Sequence, residues 1–277
     1  MPGHIMWVVM ATGAAFGNAL WTALSKPIVQ GIPPLRMVLM LRLLQSAILL
    51  APLLIIRGLP ASAGFWLLVA AVGVLQAVRW VTIMYGVRRD YFSTYAMYNT
   101  APLFTILLAP TMLPERFGAA VWLGVLAIIA GAIVFYRTSR LSVYGLVGAV
   151  LTAVINILAK HGTNMVHPLV FLFFMSASPA VVLAIVYLVG NHGKASRVEW
   201  RQEAGQLAPL ALIAVASGVC FFYGLWLDTA TRVTAAARTN LIFGFLLSYL
   251  LLKERADWQW KVSGTALILG GTVTVAL

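Results

Sequence analysis

The 277-residue chain is 62% hydrophobic and 9% charged with a mean hydropathy of +0.95; a soluble domain has roughly 25% charged residues, so a water-soluble fold is excluded. The formal net charge of +12 does not mark a nucleic-acid binder, because the basic residues are scattered among short connections. A single cysteine, Cys220, excludes an intrachain disulfide.

The chain divides into ten apolar stretches, each near the ~20 residues that cross a ~30 Å hydrocarbon core as a helix. The ~10-residue alternating segments of a membrane β-barrel do not occur. The first predicted span, 5–25, is too long and too closely followed by a second for a cleaved signal peptide, and lacks a basic leading region. Its Gly13-x-x-x-Gly17 permits close helix packing. Asn18, Thr22 and Lys26 share one helical face, with Trp21 beside them. Span 2, 36–56, carries Arg42 with only Gln45 and Ser46 as polar company, so Arg42 is expected to snorkel to the interface. Span 3, 64–86, places Gly73, Gln76, Arg79, Thr82 and Gly86 on one stripe next to Trp80. Span 4, 91–112, aligns Tyr91, Tyr95, Tyr98 and Pro102 next to Asn99, and span 5, 118–136, holds Gly124 and Gly131. Span 6, 141–162, presents a polar face at Thr152, Asn156 and Lys160. Between spans 7 and 8, 167–189 and 207–227, lies the one connection long enough for a surface helix, 190–206. Span 9, 232–252, aligns Thr234, Arg238 and Ser248, and span 10, 259–277, holds Gly264 and Gly271.

These elements repeat. Lys26 precedes Pro34-Leu35 as Lys160 precedes Pro168-Leu169, an offset of 134. Met84-Tyr85-Gly86 with Asp90 recurs as Phe222-Tyr223-Gly224 with Asp228, offset 138. Glu115-Arg116 recurs as Glu254-Arg255 at offset 139, and Gly124 and Gly131 recur as Gly264 and Gly271 at offset 140. The slow one-way drift is what small loop insertions produce. Five spans in each half, 1–138 and 139–277, is an odd number, so the second half must sit upside down relative to the first. The expected fold is an all-α integral membrane protein of ten transmembrane helices in two inverted five-helix repeats. That symmetry belongs to transporters, which hold substrate near the midplane between repeats and alternate access by rocking.

The Pro102…Leu113-Pro-Glu115-Arg116 stretch with Gly124 and Gly131 resembles the end of one repeat of the ten-helix EamA-type carriers of the drug/metabolite transporter superfamily. Leu250-Leu-Leu-Lys-Glu254-Arg255 with Gly264 and Gly271 resembles the end of the other. The resemblance covers essentially the whole chain. It implies ten helices, a central cavity between the halves, cytoplasmic termini, and often export of amino acids or related metabolites.

A charge at the centre of hydrocarbon costs ~2.5–3.5 kcal/mol on insertion scales, which makes intramembrane arginines candidates for function. Arg79 and Arg238 are assigned to a wet cavity holding a carboxylate or phosphate, with snorkelling to the nearer interface as the alternative; Asn18 and Asn156 are assigned to hydrogen bonds with substrate, with interhelical bonding as the alternative, and Tyr95 and Tyr98 to a stacking wall. Gln76, Asn99, Trp21 and Trp80 complete the substrate-binding set, while Lys26 and Lys160 are expected to reach an interface. All seven acids lie at helix ends or in connections, so no buried carboxylate is available of the kind that a proton-coupled cation exporter uses. Glu115 and Glu254 are read as helix-end anchors. The four histidines have no metal-ligand spacing, and no HExxH, GxSxG, Walker A or dinucleotide motif occurs. No catalytic residue, metal or cofactor is assigned.

The expected function is secondary transport, by export or exchange, of a small organic metabolite such as an amino acid or organic anion. The expected setting is the cell (inner) membrane, with the bilayer as partner, no nucleic acid, and a monomer or homodimer equally compatible. The rivals are a multidrug or quaternary-cation exporter of the same fold, and a membrane-embedded enzyme, for which no deep nucleophile or carboxylate is found. Twelve basic residues border the odd-numbered connections against four on the opposite face. The positive-inside rule then places both termini outside, against the orientation the resemblance implies.

Overall fold

The computed structural model describes residues 3–29, 31–56, 62–113, 117–136, 141–190, 197–251 and 258–276. Glu115, Arg116, Glu254 and Arg255 lie outside the described residues, as do the side chains of Lys26, Tyr91 and Ser248. Every regular element described is helical: α1 (Gly3–Val29), α2 (Pro34–Ile55), α3 (Ala63–Arg89), α4 (Tyr91–Tyr98), α5 (Ala101–Met112), α6 (Ala119–Tyr136), α7 (Val143–Met165), α8 (Pro168–Val189), α9 (Arg197–Leu227), α10 (Ala230–Ala236), α11 (Asn240–Leu251) and α12 (Trp258–Ala276). A 3-10 turn, Ala237–Thr239, joins α10 to α11.

Local chemistry explains the starts. Pro34 and Pro168 open α2 and α8, where a missing N–H costs nothing. Ser62 and Ser142 cap α3 and α7, their hydroxyls accepting from Phe65 N and Gly145 N at 3.3 Å. Six of the described helices, α1, α2, α3, α7, α8 and α9, contain stretches long and apolar enough to cross a membrane. Their outer faces carry exposed apolar side chains such as Leu67, Leu54 and Leu188, while Gln76, Arg79, Asn156 and Arg238 are buried. This reversal of the usual polar exterior suits a bilayer, and the chain is a multi-pass membrane protein.

Three predicted elements differ from expectation. Helix α9 begins ten residues before predicted span 8, so the second half of the 190–206 connection extends a span instead of forming a separate surface helix. Predicted spans 4 and 9 are each broken in two. At the first break Pro102 has no N–H to bond the carbonyl four residues back, and the Thr100 hydroxyl donates to the Met97 carbonyl at 2.6 Å. At the second, the Thr239 hydroxyl donates to the Ala236 carbonyl at 2.8 Å. Thr100 and Thr239 are repeat mates at offset 139, so the two breaks are equivalent.

The pairing of helices shows how the halves relate. α6 packs along α12, α1 along α9, α2 against α8, and α3 against both α7 and α8. A Cβ on Gly124 would lie 2.7 Å from the Gly271 carbonyl oxygen, and one on Gly131 would lie 2.7 Å from that of Gly264. Only glycine permits this approach. Because 124 faces 271 and 131 faces 264, these repeat-mate helices run antiparallel. The α1–α9 pair, in which Gly13 faces Cys220 and Gly17 faces Ser217, has its equivalent in α7–α3, in which Gly148 faces Ile83 and Gly145 lies near Thr94 just beyond α3.

Candidate functional site

Both helix breaks border one cavity of about 190 Å³ between the two halves. Helical spacing directs its lining. α1 supplies Asn18, Trp21 and Thr22, and α3 supplies Gln76, Arg79 and Trp80, each set at i, i+3, i+4. Tyr95 and Tyr98 come from α4, Thr152 and Asn156 from α7, and Arg238 and Asn240 from the second break. Nine of the ten residues assigned from sequence thus line the cavity. The tenth, Asn99, stands behind it, its Oδ1 accepting from Arg238 Nη1 at 3.1 Å. Asn99 and Arg238 are themselves repeat mates at offset 139, so this bond ties one helix break to the other.

The two arginines are 7% and 6% exposed, so they do not snorkel. Arg79 Nη1 donates to Thr152 Oγ1 at 3.3 Å, and the Thr152 hydroxyl in turn donates to the Gly148 carbonyl at 2.7 Å. Asn156 Nδ2 donates to Thr234 Oγ1 at 3.0 Å. Trp21 and Trp80 meet edge to face at 5.7 Å, and Tyr95 and Tyr98 at 6.2 Å. The guanidinium carbon of Arg79 lies 4.7 Å from the Trp80 ring centre, and that of Arg238 lies 5.2 Å from the Tyr98 ring.

A third arginine joins them. Arg42 was expected at the interface, yet it lines the cavity with Val38 and Gln45. Its Nη1 donates to Gln45 Oε1 at 2.8 Å, and its guanidinium lies 5.0 Å from the Trp80 ring. The signal available was the Val38, Arg42, Gln45 spacing of i, i+4, i+7, one face of a helix. The Lys160 ammonium donates to the Leu225 carbonyl at 2.6 Å, near the end of α9.

No Asp or Glu is among the described residues that line it. Among the lining residues, Trp21 Nε1, Trp80 Nε1, Arg79 Nε, Gln76 Oε1 and Asn240 Oδ1 are buried polar atoms with no hydrogen-bond partner among the described residues. Such groups are costly unless a ligand or water meets them.

Beyond the cavity the two ends of the bundle carry unlike contacts. At the end where α2 and α9 begin, Arg36 pairs with Glu203, with Glu199 at 3.9 Å. At the end where α3 and α8 begin, Phe65 meets Phe171 at 6.2 Å and Phe174 at 5.5 Å. The repeat maps Glu203 onto Phe65 at offset 138 and the start of α2 onto the start of α8 at offset 134, so an ion pair and an aromatic contact occupy matching places.

Comparison with known proteins agrees with this architecture. The model of the EamA-like transporter family matches the chain twice, over residues 5–137 and 140–277. No curated protein sequence matches. A protein of known crystal structure, 16% identical, superposes with a TM-score of 0.74 over 100% of this chain and 99% of the other, a likeness of fold. Two matches that together span nearly every residue settle the family: the chain belongs to the EamA-like transporters.

Proposed function

We propose that this protein is a ten-span secondary carrier that moves a small organic anion across the membrane by alternating access. One observation carries the reading: Arg42, Arg79 and Arg238 line a single cavity, with no acid among the described residues of its lining. Charges this deep are retained where they meet substrate, and a guanidinium offers forked N–H donors that match carboxylate and phosphate oxygens. Asn18 and Asn156 supply hydrogen bonds, and the Trp21–Trp80 and Tyr95–Tyr98 pairs form the apolar walls. The cavity is smaller than the ~300–1,000 Å³ pockets that hold drug-sized ligands, which suits a metabolite.

The quaternary-cation reading would use these aromatic rings as a cage. Here the protein's own guanidiniums lie beside the rings of Trp80 and Tyr98, and a second cation would meet three like charges. Alternating access is supported by the unlike end contacts: the Arg36–Glu203 pair latches one end, and the Phe65–Phe171 contact latches the other.

The test is thermal unfolding of the purified protein with lactate, succinate, glutamate, glycerol 3-phosphate or methyl viologen. A ligand at a hundred times its Kd stabilises the folded state by about 2.7 kcal/mol. Stabilisation by one or more of the anions is expected. Stabilisation by methyl viologen alone would overturn the reading.

A further inference from the structure

Resting on the anion reading of the cavity, we infer that the substrate is a hydroxy acid, a carboxylate with a hydroxyl on the neighbouring carbon, and that the amide oxygens of Gln76 and Asn240 read the hydroxyl. Both residues line the cavity. Gln76 Oε1 and Asn240 Oδ1 are buried without a hydrogen-bond partner among the described residues, and Gln76 as a whole is 5% exposed. A buried amide oxygen left unpaired is unfavourable. An ionised carboxylate cannot relieve it, because such a group only accepts. A ligand that meets these oxygens must bring an O–H or N–H of its own.

Each acceptor stands beside a cavity arginine. Gln76 and Arg79 lie at i and i+3 on α3, a spacing that sets Cβ atoms about 5–6 Å apart. Asn240 follows Arg238 by two residues at the second helix break. This spacing suits a hydroxyl one carbon away from a carboxylate that a guanidinium holds. The donors Trp21 Nε1, Trp80 Nε1 and Arg79 Nε, also without a partner among the described residues, suit acceptor oxygens on the same molecule. The repeat sharpens the assignment. At offset 138 Gln76 maps onto Ala214, Arg79 onto Ser217 and Trp80 onto Gly218, and at offset 139 Asn240 maps onto Ala101. Ala214, Ser217 and Gly218 line the cavity as well, so α3 offers polar groups where its mate α9 offers small residues that leave room for a ligand. Neither amide has a polar mate in the other half, and the fold common to both halves therefore does not call for them.

A hydroxyl fits these oxygens better than an ammonium. A buried cation is held well against an aromatic face, but here guanidiniums already lie against the rings: Arg42 and Arg79 against Trp80, and Arg238 against Tyr98. An ammonium also carries three donors that must all be met. A hydroxyl donates once, to Gln76 or Asn240, and still accepts from a neighbouring indole N–H.

The test is titration calorimetry of the full chain in detergent with two matched sets of acids: malate, succinate and aspartate, and lactate, propionate and alanine. In each set that binds, the hydroxy acid is expected to bind roughly ten- to a hundredfold more tightly than the acid lacking the hydroxyl, which leaves a buried acceptor unpaired. The amino acid of the set is expected to bind more weakly than the hydroxy acid. Gln76→Leu, or Asn240→Leu should the first fail to fold, is expected to reduce the preference for the hydroxyl to about twofold, because the acceptor is gone. Equal affinity for malate and succinate, or for lactate and propionate, would overturn the hydroxyl while leaving the anion reading intact. Tightest binding of aspartate or alanine would overturn it in favour of an ammonium donor. A preference that survives in folded Gln76→Leu and Asn240→Leu alike would remove both amides from recognition. Absence of binding by every acid would overturn the inference and take the anion reading with it.

Discussion

The ion pair between Arg36 and Glu203 offers a quantitative test of the latch. The two side chains are 16% and 13% exposed, so water screens them far less than a surface pair. Exposed pairs contribute ~0.2–1 kcal/mol, while stripping one partner from a fully buried pair costs ~3–5 kcal/mol. Here Glu199 stands 3.9 Å from Arg36 and takes up part of the loss, which places the effect of Glu203→Gln at roughly 1–2 kcal/mol. At about 1.4 kcal/mol per factor of ten, the equilibrium at this end shifts roughly 5- to 30-fold toward open. The assay is alkylation of Thr22→Cys in a Cys220→Ala background by an impermeant maleimide applied from the α2 end. Glu203→Gln is expected to speed labelling by that factor, and the swap of Arg36→Glu with Glu203→Arg to slow it again. Phe171→Ala, at the opposite latch, is expected not to speed it. An unchanged rate in Glu203→Gln, or equal acceleration by Phe171→Ala, would refute the latch.

Other consequences follow from packing, hydrogen bonding and charge. Gly271→Ala puts a Cβ 2.5 Å from the Gly124 carbonyl oxygen and is expected to cost about 1–3 kcal/mol, whereas Gly270→Ala, with nothing within 4 Å, is expected to be neutral or mildly stabilising; melting temperatures of the two variants check this. Asn99→Ala removes an acceptor from a buried guanidinium, worth ~1.5–3 kcal/mol, and is expected to weaken anion binding by roughly ten- to a hundredfold in titration calorimetry. Twelve basic residues against four should hold the odd-numbered connections in the cytoplasm, so a reporter fused to either terminus is expected to report the opposite side.

Much of the architecture was legible because a bilayer forces periodic, local solutions. Each span must be apolar and about 20 residues long, and polar residues inside it stand out at once, which is how Arg79, Arg238, Asn18 and Asn156 were found. The repeat was visible in prolines, glycines and charged helix ends, where backbone chemistry tolerates few alternatives. The helix breaks were not legible. The first carries a local hint in Pro102, but the second, in Thr-Ala-Ala-Ala-Arg-Thr-Asn, has none; there the Arg238–Asn99 bond ties the turn to its repeat mate. Arg42 was misplaced because a lone charge on an apolar helix can turn to an interface or to an interior, and neighbours distant in sequence decide which. The Arg36–Glu203 contact joins residues 167 apart and leaves no periodic trace.

Arg238→Ala bears on the whole mechanism, because this arginine touches Asn99, Tyr98 and the cavity together. The variant should be produced alongside the native chain, compared for monodispersity and melting temperature in detergent, and then assayed for succinate and glycerol 3-phosphate flux in proteoliposomes. Loss of flux from a protein that still inserts and folds is the expected result. Undiminished flux would remove Arg238 from the site and contradict transport of anions through this cavity.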